Sequence, residues 1–257
     1  KKGGLQMYVL IFLLGTIIGS FLNVCIYRIP KGQSIIYPPS HWPNCSTPLK
    51  WYNLIPIFSF ILQRGRCTYC GEKISLQYPI VESINGLLYI ALYYKLGLTM
   101  DIIFYGIIFS ILIVITFIDL KHMIIPDSLN IGLLILGLIY RIFRYNIYNI
   151  PINIINSILA LIVPSGVFML IILISKGGMG GGDMKLIGVL GFILGLKEIT
   201  LTMFLSFLLG AIISIFLLLF NIKGKKDPIP FGPFICLAFM ITVFWGDKLI
   251  LWYMKKF

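Results

Sequence analysis

The chain has 257 residues, 59% of them hydrophobic and 12% charged, with a mean hydropathy of +0.98; this excludes a soluble domain of ordinary make-up. The formal charge of +12 does not point to nucleic acid, since no soluble segment interleaves basic residues with base-stacking aromatics. In a membrane protein such residues mark cytoplasmic loops, so the expected class is an all-α polytopic membrane protein whose first partner is the lipid bilayer.

The first apolar run, Gly3 to Tyr27, carries no charge and is long enough to cross roughly 30 Å of hydrocarbon. A cleaved signal would end in small residues, whereas this run ends in Asn23, Cys25, Tyr27 and Arg28, so it reads as the first span. Arg28 to Pro79 is the one long polar segment, with Arg28, Lys31, Lys50, Arg64, Arg66 and Lys73 against the single acid Glu72. It is expected in the cytoplasm. Further apolar runs at 80–97, 101–120, 127–143, 150–175, 183–196, 199–222 and 229–250 bring the total to about eight transmembrane helices. The organisation is then a first span over 1–27, an insert over 28–79 and a seven-helix portion over 80–257. With the N-terminus outside, 12 of the 21 Lys and Arg fall inside, a mild positive-inside bias. Two spans look short, 127–140 before Arg141 and 183–196 before Lys197, and a short helix with an acid at its end suits a site that admits water.

Asp119 closes the apolar run that begins at Ile111, and Asp183 opens the sixth span directly after Gly177-Gly178-Met179-Gly180-Gly181-Gly182. Two spans lie between them, so parity alone returns both carboxylates to one membrane face. Carboxylates that share a site do not both ionise easily; one keeps a proton while the other acts as base, which is aspartic protease chemistry. Gly180, Gly181 and Gly182 lack a Cβ, can take positive φ and would let a substrate backbone approach. The plainer reading of the loop is a flexible connection with Asp183 as helix cap. Asp127, after Ile125-Pro126, reads as the cap of the fourth span. Lys121, Lys185 and His122 are expected at the interface without catalytic roles.

The insert carries Cys45 and then Cys67-Thr68-Tyr69-Cys70-Gly71. A CxxC followed by Gly, facing a reducing compartment, reads as half of a structural zinc site before it reads as a disulfide. Trp42 stands where a second CxxC would need cysteine, which leaves His41 as the nearest fourth ligand beside Cys45, Cys67 and Cys70. A metal-free insert is the alternative. Cys25 and Cys236 lie in apolar runs and read as packing residues.

Taken together these segments resemble the type IV prepilin peptidase family, the leader peptidase and N-methyltransferase proteins. The resemblance runs through Gly19-Ser20-Phe21-Leu22-Asn23-Val24, Trp51-Tyr52-Asn53, Ile55-Pro56, Arg64-Gly65-Arg66-Cys67, Tyr78-Pro79-Ile80-Val81-Glu82, Ile118-Asp119-Leu120, Pro126-Asp127, Gly180-Gly181-Gly182-Asp183-Met184-Lys185 and Pro230-Phe231-Gly232-Pro233. It implies an intramembrane aspartyl endopeptidase of the GxGD kind with Asp119 and Asp183 as catalytic pair. The implied substrates are type IV prepilins or pseudopilins, cut at the cytoplasmic face of the bacterial inner membrane. Members also methylate the new N-terminus with S-adenosylmethionine; the resemblance makes Glu82 a candidate participant, and Trp42 departs from the paired CxxC insert associated with that half. The rival reading from another class is an ion-coupled transporter using Asp119 and Asp183 as intramembrane carboxylates, which predicts inverted repeats that the unequal halves do not display. A phosphate-binding loop is excluded because Gly180 to Lys185 lacks the G-K-[ST] ending. A non-catalytic scaffold would keep its function when either aspartate is replaced.

Overall fold

A computed structural model describes residues 2–39, 45, 47–149, 153–175, 178–222, 224 and 227–256. Its helices, in chain order, are α1 (Lys2–Arg28), α2 (Phe58–Leu62), α3 (Gln77–Leu96), α4 (Met100–His122), α5 (Asp127–Tyr148), α6 (Ile154–Ile174), α7 (Gly181–Leu194), α8 (Leu196–Leu219) and α9 (Gly232–Met254). Helices suit these long uncharged runs, because hydrocarbon offers no partner for an open N–H or C=O and a helix satisfies each within its own segment. Six of them, α1, α4, α5, α6, α8 and α9, are long and apolar enough to cross a membrane. The other two expected spans correspond to α3, which carries Glu82, Asn85 and Lys95, and to α7, which has only 14 residues. The chain forms two compact units, Lys1–Val114 and Ile115–Phe257.

In the first unit α1 packs against α3 with almost no side chain between them. A Cβ on Gly15 would lie 2.8 Å from Gly86 Cα, and one on Gly19 would lie 2.7 Å from Glu82 Cα. Residues four apart on α1 thus form the small-xxx-small seam that lets two membrane helices touch backbone to backbone. Hydrogen bonds fasten the seam. Asn85 Nδ2 donates to Gly15 O at 2.7 Å, Ser110 Oγ donates to Asn85 Oδ1 at 3.1 Å, and Asn23 Nδ2 donates to Tyr78 O at 3.2 Å.

The second unit is built round α7. Every residue from Leu186 to Gly191 is buried, as expected of a helix about 21 Å long that is enclosed by its neighbours. Gly191 lies directly on Ala160 O and Gly188 on Ser165, so α6 and α7 meet through their backbones. The expected end of the fourth span before Arg141 is overturned, since α5 continues through Arg141 and Arg144 to Tyr148. Arg141 Nε and Nη2 donate to Phe192 O at 2.9 and 2.6 Å. The guanidinium also lies 5.1 Å from the Phe192 ring centroid. The charge inside the helix is therefore spent on a carbonyl of the last turn of α7, where the helix dipole favours a cation. Gly195 alone separates α7 from α8, with φ at +101°, a conformation that L side chains rarely adopt.

Candidate active site

Asp119 lies one turn from the C-terminal end of α4, and Asp183 is the third residue of α7. Both are buried, at 4% and 7% relative exposure. The backbone N–H of Gly232, at the start of α9, donates to Asp119 Oδ2 at 3.0 Å. The Pro-Phe-Gly-Pro segment sets this up, with Phe231 as N-cap and Pro233 in the first turn, where its missing N–H leaves no ladder bond unmade. At Asp183 the Gly180 N–H donates to Oδ2 at 3.2 Å, while the Asp183 N–H returns a bond to Gly180 O at 3.1 Å. The second oxygen, Asp183 Oδ1, is buried without a hydrogen-bond partner among the described residues.

The two carboxylates act on one another electrostatically, and the thiol of Cys236 on α9 lies within the field of both while bonding Thr116 on α4. The turn after α4 closes the arrangement. A Cβ on Gly182 would come 2.9 Å from Ile125 Cβ, so the start of α7 rests against the segment that follows Asp119. Two acids 64 positions apart in the chain are thus both buried, each accepts a backbone N–H, and among the described residues Asp183 Oδ1 has no partner.

Neither Gly180, Gly181 nor Gly182 has positive φ, and Gly180 is extended at φ −77° and ψ 143°. What they supply is space: open surroundings at Gly181, contact with Ile125 at Gly182, and only 3.2 Å between a Cβ on Gly180 and Asp183 Oδ2. Asp127 is not a side-chain cap. It is the first residue of α5, with Pro126 as N-cap, and it pairs with Lys185 Nζ at 2.8 Å where both side chains are exposed. Lys185 is thereby held by Asp127, and His122 is exposed.

In the first unit the Sγ atoms of Cys45, Cys67 and Cys70 lie within 4.8 Å of one another, with Cys45 and Cys67 at 3.9 Å. A tetrahedral zinc with sulfur at about 2.3 Å implies sulfur pairs near 3.8 Å, so this thiol set fits that ion. A tight hairpin presents the CxxC: Arg66 and Lys73 form a bridge, Cys67 N–H donates to Glu72 O at 2.8 Å, and Gly71 turns at φ +74°. Hydrogen bonds from Thr47 hold the Cys45 thiol below its usual range, which favours the ligating thiolate. His41 and Trp42 lie outside the described residues.

Glu82 is buried at the α1–α3 seam, where Oε2 accepts the Ile57 N–H at 2.7 Å and the Ser20 hydroxyl also bonds the carboxylate. Sequence reasoning missed two features of the second unit. One is Gly232, whose N–H is a backbone group; only the unusual Pro-x-Gly-Pro at a helix start could have signalled it. The other is Asn130, buried on α5 with neither side-chain polar atom bonded among the described residues.

Comparison with known proteins agrees along the chain. The bacterial peptidase A24 N-terminal domain family matches residues 13–96, and the type IV leader peptidase family matches residues 106–215. A prepilin leader peptidase/N-methyltransferase of Legionella pneumophila is 34% identical over 274 residues, covering 96% of this chain and 94% of the relative. Proteins of the same name from Bacillus subtilis (33% identical, 97% and 98% covered) and Aeromonas hydrophila (32% identical, 96% and 94% covered) match over similar spans. No solved structure matches the chain significantly. With this identity over nearly the full length of both proteins, the chain belongs to the type IV leader peptidase family, and to its multi-pass membrane proteins.

Proposed function

We propose that this chain removes the leader of type IV prepilins or pseudopilins at the cytoplasmic face of the bacterial inner membrane, using Asp119 and Asp183, and then methylates the new N-terminus. The observation that carries the peptidase reading is a pair of buried carboxyls within electrostatic reach of one another, with Asp183 Oδ1 lacking a partner among the described residues. One carboxylate takes a proton from a water that attacks the scissile carbonyl, and the other carboxyl gives its proton to the departing nitrogen as the C–N bond breaks. The N–H groups of Gly232 and Gly180 hold the two acids in place meanwhile. Gly180, Gly181 and Gly182 line the approach of an extended substrate segment, which pairs with backbone as in strand addition. The relatives carry the names of peptidase and methyltransferase together, and nothing among them supports ion-coupled transport.

In this reading the insert over 28–79 carries the metal and the helices from 80 to 257 carry proteolysis. Cys45, Cys67 and Cys70, with His41 as fourth ligand, hold a structural zinc whose contribution is to fix the insert's fold. S-adenosylmethionine supplies an electrophilic methyl group for the amine. Glu82, a carboxylate among apolar helices, is suited to orient a cationic donor or the new amino terminus. The test is incubation of the purified chain with a prepilin, reading the new N-terminus and its mass. Cleavage by wild type, with none by Asp119→Asn and Asp183→Asn, is the expected result; turnover near wild type in either variant would refute the dyad.

A further inference from the structure

The insert contains an uncharged run, Trp51 to Gln63, between Lys50 and Arg64. Its α2 turns large apolar side chains outward, with Phe58 58%, Ile61 62% and Leu62 82% exposed, and Leu54 and Ile55 join them. A loop in cytosol would hide such residues; contiguous exposure of this kind marks a protein or membrane contact.

The depth of α2 decides between them. The Ile57 N–H, at the start of α2, donates to Glu82 Oε2, and the same carboxylate bonds Ser20. Ser20 lies eight residues before Arg28, the end of α1, or about 12 Å along the helix. The 27 residues of α1 span about 40 Å, so a centred helix overhangs roughly 30 Å of hydrocarbon by about 5 Å at each end. In a bilayer centred on α1, Glu82 and Ile57 would stand about 7 Å inside the hydrocarbon boundary. Ile57 accepts a positive φ of 62°, unfavourable for a β-branched residue, in order to reach that carboxylate. Beside the run, Lys50, Arg64, Arg66 and Lys73 are exposed, with Glu72 the one acid among them.

We infer that residues 54–62 form a re-entrant interfacial segment that dips into the cytoplasmic leaflet, its apolar face among acyl chains and its flanking basic residues on anionic lipid headgroups. This is how amphipathic interfacial elements bind, buried about 5–10 Å into the headgroup and acyl boundary. The segment following the first span is then not wholly a cytoplasmic insert. Glu82 acts as the peg that holds α2 at this depth, and the metal-binding hairpin is tethered at the membrane surface just beyond it.

The test uses the full chain in nanodiscs containing a lipid with a photoreactive acyl chain, mapped by mass spectrometry. One set is phosphatidylcholine alone, the other a mixture with phosphatidylglycerol. Crosslinks on Phe58, Ile61 and Leu62 are expected in both, and more in the mixture. Each basic side chain at an anionic surface should favour the docked state by roughly fivefold. Lys50→Glu with Arg64→Glu should remove that gain while α1 and α3 label as before, which controls for folding. A segment unlabelled by lipid while the spans are labelled would overturn the inference. So would a segment labelled only by a prepilin carrying the same photoreactive group, because the surface would then belong to the substrate.

Discussion

Gly232→Ala is the substitution on which the site's geometry stakes most. A Cβ there would stand 2.7 Å from Asp119 Oδ2 and 3.1 Å from Ile125 Cδ1, and real Cβ contacts essentially never fall below 3.0 Å. Either the carboxylate or the start of α9 must move by at least about 0.3 Å, at the expense of the 3.0 Å bond from the Gly232 N–H. That bond is buried and reaches a group that is charged for part of the catalytic cycle, so its net worth is about 1.5–3 kcal/mol. The whole of it lost corresponds to roughly 10- to 150-fold in kcat/KM. The assay is prepilin cleavage by the purified protein, with thermal unfolding measured alongside. Gly132→Ala supplies the control, since a Cβ at Gly132 meets nothing within 4 Å and alanine in mid-helix should stabilise α5 by about 0.5–1 kcal/mol. A Gly232→Ala protein with unchanged kcat/KM would show that the bond to Asp119 does not hold a catalytic acid.

Asp127→Asn should leave cleavage intact and alter stability by less than about 1 kcal/mol, because the pair with Lys185 is exposed; a loss comparable to Asp183→Asn would assign it a chemical role. Replacing Cys45, Cys67 or Cys70 with serine should each abolish bound zinc in elemental analysis, and a metal content unchanged by any of the three would count against the site. Gly191→Ala, whose Cβ would strike Ala160 O, should destabilise the second unit by about 1–3 kcal/mol in a melting experiment; an unchanged melting temperature would contradict the backbone contact of α6 with α7. Prepilin variants whose scissile bond is moved one helical turn deeper should be cut poorly, since both aspartates lie at helix ends. Efficient cleavage of the deeper bond would place the active site elsewhere.

The positions of the membrane helices were legible because hydropathy is a local property. Runs of uncharged residues predict α1, α4, α6, α8 and α9 closely, and the Asp at each helix end could be singled out without any contact being known. Counting spans predicts Asp119 and Asp183 on one face. The CxxC with Cys45 was equally readable, because thiol spacing is a chemical signature in one dimension. The sequence misled wherever a polar group answers to a partner far along the chain. Arg141 looks like the end of a span, yet α5 continues through it, and its guanidinium donates to Phe192 O in the last turn of the 14-residue α7. Asp127 looks like a cap, yet it meets Lys185, 58 positions away. The resemblance offers Glu82 only as a candidate for methyl transfer, and the N–H of Ile57, 25 positions before it, is a partner that the sequence does not announce. The burial of the two aspartates, the N–H of Gly232 that bonds one of them, and the contact of Ile57 with Glu82 are decided by packing. A backbone donor has no letter of its own in the sequence, and distance between helices is set by which glycines let their backbones touch.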